Sequence, residues 1–513
     1  MVGFSEQAWR TCTPTKGGSN ARSYSERSAW DNACTPGGTP SPCIVDDINL
    51  STITFTQGIK ITGPTDDEQT GYSVSWVGDV NGDGIDDFII GAPYFVNGAT
   101  NGISYLIYGA EEIRNIDLSE PLGNKGITII GPTGVAANSG WSVSGAGDAS
   151  GGGKGDIIIG APNAGAGRSY IIFGENLPAA PGSITLSDGF SEGVTIIGDP
   201  TYSSGKAGYS VSSAGTVNND LYDDVIIGAP NAGDGRSYII FGGPVLVSGL
   251  TMFLSDGFLD GVTIIGDSTY SLGKAGYSVS GAGDLNNDSY DDVIIGAPSA
   301  GDGRSYIIFG GPLTSGVMIQ LSDGFSEGFT IIGATSSTEA AGWSVSGAGD
   351  VDGDGKTDVI IGAPQASTAA GKSYIIYGKA LSTGGWETLS DTLSEAVGIT
   401  ITGAADNDLS GYSVSGAGDL NGDGKADVII GAPQAATAVG KSYIIYGSAS
   451  LSNIDLSTLC SQNGVTITGI ASGDQSGWSV NNAGDINNDG RPDTIIGAPN
   501  ANTNDGESYV IFG

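Results

Sequence analysis

The sequence predicts an all-β chain: a seven-bladed β-propeller of four-stranded antiparallel blades, closed by an N-terminal strand that completes the last blade. Three observations lead to this expectation. One unit recurs seven times at spacings of 66 to 69 residues. Each unit carries four short runs of strand character, with no helical periodicity between them. The repeat frame is also offset from the chain, with a fourth-strand sequence at the start and a unit lacking one at the end.

The repeat core reads G-[YW]-S-V-x-x-x-G-D-x-N-x-D-G-x-x-D-x-I-I-G-A-P, then a loop, then S-Y-I-I-[FY]-G. Its first loop acid recurs at Asp79, Asp148, Asp284, Asp350, Asp419 and Asp485, with Thr216 in the third copy. Gly-Ala-Pro begins at Gly91, Gly160, Gly228, Gly296, Gly362, Gly431 and Gly497. In the fourth copy the four runs fall at 277–280, 293–295, 306–309 and 329–332. Each is rich in β-branched or aromatic residues and bounded by Gly, Pro, Asp or Asn.

The offset frame favours a closed ring over an open solenoid. Ile59-Lys60-Ile61 is a fourth-strand sequence that precedes any first strand, and the chain ends on the third-strand run at 509–512. Residues 48–63 match 454–469 in length and pattern. Placing this strand on the outer edge of blade seven leaves no orphan strand within the repeats. A solenoid gains nothing from the offset.

Composition narrows the function classes. The 513 residues include 19 Lys and Arg against 56 Asp and Glu, a formal charge of −37. Such a field repels nucleic acid and anionic lipid and attracts cations. No run of about 18 apolar residues occurs, so direct membrane insertion is not expected. The absence of histidine removes the commonest general base and the commonest zinc ligand. Residues 1–10 lack a basic stretch followed by an apolar one, so a signal peptide is expected to be absent or already removed.

The acids have a register. A nine-residue loop, D-x-[DN]-x-D-G-x-x-D, separates the first and second strands and puts side-chain oxygens at positions 1, 3, 5 and 9. A hard cation takes six to eight oxygens, and the peptide carbonyl of position 7 adds one. An all-protein oxygen cage points to calcium (Ca2+), with about five sites. The first loop offers Asp79, Asn81, Asp83, the carbonyl of Ile85, and Asp87. The fourth offers Asp284, Asn286, Asp288, the carbonyl of Tyr290, and Asp292, with Ser289 in place of Gly. The fifth has Asp350, Asp352, Asp354, Lys356 and Asp358, and the sixth Asp419, Asn421, Asp423, Lys425 and Asp427. The seventh has Asp485, Asn487, Asp489, Arg491 and Asp493. The third keeps Asn218, Asp220 and Asp224 behind Thr216 and is expected to bind weakly. The second, with Asp148, Ser150, Gly152 and Asp156, lacks the central acid and is expected to be empty.

These residues resemble the FG-GAP repeat, which builds the propeller headpiece of integrin alpha subunits and related bacterial surface proteins. The resemblance covers roughly residues 48–513. The Phe of the FG pair is replaced in every copy, by Thr70, Ser139, Ala207, Ala275, Ala341, Ser410 and Ser476. No Arg-Gly-Asp tripeptide occurs. The resemblance implies calcium loops on one face of the disc and a partner on the other, where loops such as 94–101, 202–206 and 231–236 would lie.

Two further features stand out. An aromatic follows the repeat Gly in every copy: Tyr72, Trp141, Tyr209, Tyr277, Trp343, Tyr412 and Trp478. Packing between neighbouring blades is the expected role, with sugar stacking the alternative. Residues 1–47 form a separate Gly-, Ser- and Pro-rich segment holding Cys12, Cys34 and Cys43, with Cys460 alone in the repeats. Full pairing of the four would tie this segment to blade six, which suits an oxidising setting.

The expected function is therefore non-enzymatic. The carboxylates fall in metal register and not as an acid/base pair in a cleft. The leading expectation is an extracellular or cell-surface propeller for adhesion or protein contact. A carbohydrate-binding propeller with a glycan ligand is the first alternative. A self-assembling subunit of an extracellular filament or surface layer is the second.

Overall fold

The computed structural model describes residues 10–11, 35–36, 47–64, 67–97, 100–133, 136–334 and 339–513. Seven sheets lie in a ring, one per repeat. Blade four shows the pattern. Its inner strand Ser278–Gly283 pairs with Asp292–Ala297, which pairs with Arg304–Ile308, which pairs with Gly328–Ile332, all antiparallel. The second strand, D-V-I-I-G-A, is buried along its whole length. That accounts for its continuous apolar run, since both faces pack against neighbouring blades.

Each blade has five strands where the sequence predicts four. The fifth is short and parallel, and it comes from the next blade. In blade four it is Gly385–Thr388, which lies between the third and fourth strands of blade five and runs alongside Gly328–Ile332. Such strands hold only two to four residues, too few to show a period-2 pattern. Their effect is to latch every blade to its successor.

The ring closes through the N-terminal part of the repeats, and it does so twice. Gly58–Thr62 is the fourth strand of blade seven, antiparallel to Glu507–Ile511. Ile116–Asp117, from blade one, adds the fifth. Ile48–Asn49 does not join blade seven. It is the fifth strand of blade six, paired with Gly464–Thr468. Residues 48–63 therefore span two blades.

The apolar core lies between blades. Each cluster draws on two neighbours, as where Ile294, Ile307 and Phe329 of blade four meet Val359, Ile361 and Tyr374 of blade five. The two motif glycines meet at these interfaces. A Cβ on Gly296 would collide with the carbonyl of Gly342 in the next blade, and Gly342 itself has φ +84°. The same collision recurs around the ring to Gly497 against Gly71, so neither position accepts a side chain. The residue before the repeat Gly, where the family has Phe, is small and buried here. Ala341, for example, forms a parallel bridge to Gly303 of blade four.

Candidate metal centres

Every nine-residue loop follows an inner strand and is preceded by a bulge, at Gly281/Gly283 in blade four. All seven therefore gather at one end of the disc, opposite the aromatic residues that head the inner strands. In the fourth loop Asp284 accepts hydrogen bonds from the N–H groups of Asp288 (3.0 Å) and Ser289 (2.8 Å). Asp288 accepts one from Tyr290 (3.0 Å). Asp79, Asp350, Asp419 and Asp485 hold their loops in the same way, through the N–H groups of Gly84, Gly355, Gly424 and Gly490.

The ninth residue anchors each loop to the blade. Asp292 is fully buried and accepts from the N–H groups of Leu285 (2.9 Å) and Gly310 (2.7 Å), which lie at the loop start and just past the third strand. Asp87, Asp358, Asp427 and Asp493 repeat the arrangement with Gly109, Gly378, Gly447 and Gly513. Burial pushes these carboxyls up, to about 7 for Asp292, Asp358 and Asp427 and about 8 for Asp87 and Asp493. A buried carboxylate held ionised beside others calls for a positive partner. Asp350, Asp352 and Asp358 have ligand oxygens within 4.8 Å of one another. Hard oxygens at this density fit a divalent cation such as calcium.

The two irregular loops are supplemented from outside. In the third, the Thr216 N–H donates to Asp291 Oδ2 of blade four at 2.8 Å, so a carboxylate stands beside the position that lacks one. In the second, the Ser150 hydroxyl donates to Glu175, which lies just past the third strand. A Cβ on Gly152 would collide with this carboxylate, so Glu175 fills the space of the missing central acid. The nine-residue pattern could not reveal either residue. Glu175 lies 25 residues from Ser150 and Asp291 lies 75 from Thr216.

Neighbouring loops are also tied together. Lys154 Nζ donates to the Asn81 carbonyl (2.8 Å), and Arg491 donates to the Leu420 carbonyl (3.3 Å). Asp223 and Asp86 accept the N–H groups of Asp148 (2.7 Å) and Asp485 (2.9 Å) in the preceding blades. The loop ends surround an axial cavity of about 760 Å³ whose wall includes Trp76, Asp79, Asp148, Asp223 and Asp291.

At the opposite end the seven aromatics form a closed ring. Successive centroids lie 4.7 to 5.6 Å apart, and Trp478 meets Tyr72 at 5.6 Å across the junction of blades seven and one. The rings are partly buried and tilted by 45° to 52° against one another, in line with packing between blades. Replacing Trp478 with Ala removes its contacts to Tyr412 and Tyr72, and the expected loss is about 3 kcal/mol. Urea unfolding in calcium buffer measures it. A loss under about 1 kcal/mol would mean that the ring adds little to closure.

Cys12, Cys34 and Cys43 lie outside the described residues. Cys460 is half-buried shortly before the fourth strand of blade six. No helix among the described residues is long and apolar enough to cross a membrane.

Comparison with known proteins finds the same repeat in the sequence. The FG-GAP repeat profile matches residues 70–107, 275–308, 341–376, 410–445 and 476–511. These are blades one, four, five, six and seven, the five whose loops are complete. Integrin alpha pat-2 of Caenorhabditis elegans is 34% identical over 169 residues, covering 30% of this chain and 13% of that protein. Mouse integrin alpha-7 is 33% identical over 171 residues, covering 32% of this chain and 13% of its own length. A phosphatidylinositol-glycan-specific phospholipase D of Dictyostelium discoideum is 36% identical over 209 residues, covering 36% of this chain and 21% of that protein. The alignments thus span about an eighth to a fifth of these relatives. Among solved structures, the WD40 domain of Toxoplasma gondii coronin superposes with a TM-score of 0.44 at 10% identity, covering 92% of this chain and 89% of that one. With its repeats, ring closure and loops taken together, the chain is a seven-bladed β-propeller that carries five FG-GAP repeats, and about a third of its length is similar in sequence to integrin alpha subunits.

Proposed function

We propose that this chain is a calcium-stapled adhesion or protein-contact propeller of the cell surface or extracellular space, without catalytic activity of its own. The observation that carries the reading is the set of five complete oxygen loops gathered at one end of a closed ring. Calcium in the first, fourth, fifth, sixth and seventh loops neutralises the buried ninth carboxylates and holds each loop to its blade. The third binds more weakly. This leaves the opposite face, with its varied loops, for a protein partner. Residues 48–513 act as the propeller and residues 1–47 as a separate N-terminal segment.

An extracellular setting also accounts for the cysteines. A disulfide between Cys460 and one of Cys12, Cys34 and Cys43 would fasten the N-terminal segment to the ring.

The test is capture by the immobilised, calcium-loaded full chain of purified matrix and cell-surface proteins, with a glycan array alongside. Protein capture that a chelator abolishes supports the reading. Selective sugar binding without protein capture would replace it with a lectin.

A further inference from the structure

We propose that Lys379 is a built-in competitor for the cation of the fifth loop. Its ammonium holds two of that loop's ligand carboxylates. The fifth loop therefore stays closed without calcium and takes calcium more weakly than the first, fourth, sixth and seventh. This inference rests on the calcium reading above and sharpens it at one of the five loops.

The lysine is placed by the same device that anchors the loop. It sits in the turn Gly378–Ala380, just past the third strand of blade five. The N–H of Gly378 donates to Asp358 Oδ1 at 2.9 Å, which fixes the root of the lysine beside the loop's ninth residue. The stem runs past Tyr377, with Nζ 4.5 Å from the ring centroid. The ammonium then ion-pairs with Asp352 and lies 3.6 Å from Asp354 Oδ2. These are the carboxylates at positions 3 and 5, oxygens that an incoming cation would need.

The sequence of blade five carries two matched departures from the repeat. Position 3 is Asp352, where other loops have Asn81, Ser150, Asn218, Asn286, Asn421 and Asn487. The place of Lys379 is taken elsewhere by Ala110, Glu175, Gly243, Gly311 and Ser448. The extra acid and the extra base occur in the same blade and touch. Asp352 is largely buried, at 6% side-chain exposure, so its charge has little water to screen it. Three carboxylate oxygens within 4.8 Å repel one another unless a cation intervenes. In blade five the chain supplies that cation, and its ammonium reaches two carboxylates. In the sixth loop Lys425 reaches one, Asp423, at 3.7 Å and from within the loop itself. A calcium ion entering this loop must first displace the ammonium from Asp352 and Asp354, and it would then face a positive charge a few ångströms away.

The test is hydrogen exchange on the full chain, with calcium and with excess EGTA, for wild type, Lys379→Gln and Lys379→Ala. In wild type, EGTA is expected to strip protection from the first, fourth, sixth and seventh loops and to leave residues 350–358 protected. In both variants the fifth loop is expected to become as sensitive to EGTA as the others. Calorimetric titration should show the affinity of one site rising about tenfold, the scale of one unit charge close to the ion. A fifth loop that opens with the rest in wild type, or variants that titrate like wild type, would overturn the proposal and leave the calcium reading intact. If EGTA changes no loop at all, the calcium reading fails and the proposal fails with it.

Discussion

Deleting residues 48–63 is expected to destabilise the whole ring by roughly 6–10 kcal/mol, enough to abolish a single cooperative melt. The estimate follows from what the segment buries. Ile59 and Ile61 are fully buried between blades seven and one, and Leu50 is 2% exposed between blades six and seven. Truncating a buried Ile or Leu costs about 2–5 kcal/mol each. The deletion also strips the hydrogen-bonding partner of Glu507–Ile511 and the fifth strand of blade six. The loss therefore reaches two blades. The truncated chain should elute as a larger particle in size exclusion, melt over a broad range and bind a hydrophobic dye. The double variant Ile59→Ala/Ile61→Ala keeps the backbone pairing and should show about half the loss. A truncated chain that melts with the intact one would mean that the ring closes by some other route.

Chelation is expected to lower the melting temperature, and by more at pH 8 than at pH 5. The ninth carboxyls titrate at about 7 to 8 in the fold, against 3.8 for an ordinary aspartate, because burial disfavours their charge. Between those values the folded chain binds protons that the unfolded chain has released. Their contribution to stability is complete below about pH 4 and is lost as the pH rises through 7 to 8. Without calcium the propeller should thus grow less stable from pH 5 to pH 8. Asp117 and Asp188, held low by Ser119 and Arg168, change stability only below about pH 4 and leave this interval untouched. Calcium supplies the missing positive charge, so its stabilisation should increase over the same interval. At ~2 mM free calcium and a Kd of ~0.1 mM, each occupied loop contributes about 1.8 kcal/mol. Calorimetric scans at the two pH values, with calcium and with EGTA, measure the effect. No shift with calcium would remove the metal from the account of stability, and a chelated protein equally stable at both pH values would mean that the ninth carboxyls are not held above their ordinary range.

Much of the architecture was legible along the chain. Seven copies of one unit, four strand runs in each and an offset frame are local, repeated signals, and repetition multiplies a weak signal. The loops were legible for the same reason, because all the donors of a cage lie within nine residues. So was the closing strand, since Ile59-Lys60-Ile61 copies a fourth strand out of place. Tertiary structure alone decided what joins one blade to another. The fifth strands come from the next repeat and are too short to carry a pattern. The two motif glycines touch each other across an interface, and the aromatics meet their counterparts 66 to 69 residues away. The charge balance of individual loops was decided there as well. Glu175, Asp291 and Lys379 all act on loops from outside the nine-residue window. Local pattern determines what one blade is. Which cation a loop meets depends on side chains that only folding brings to it.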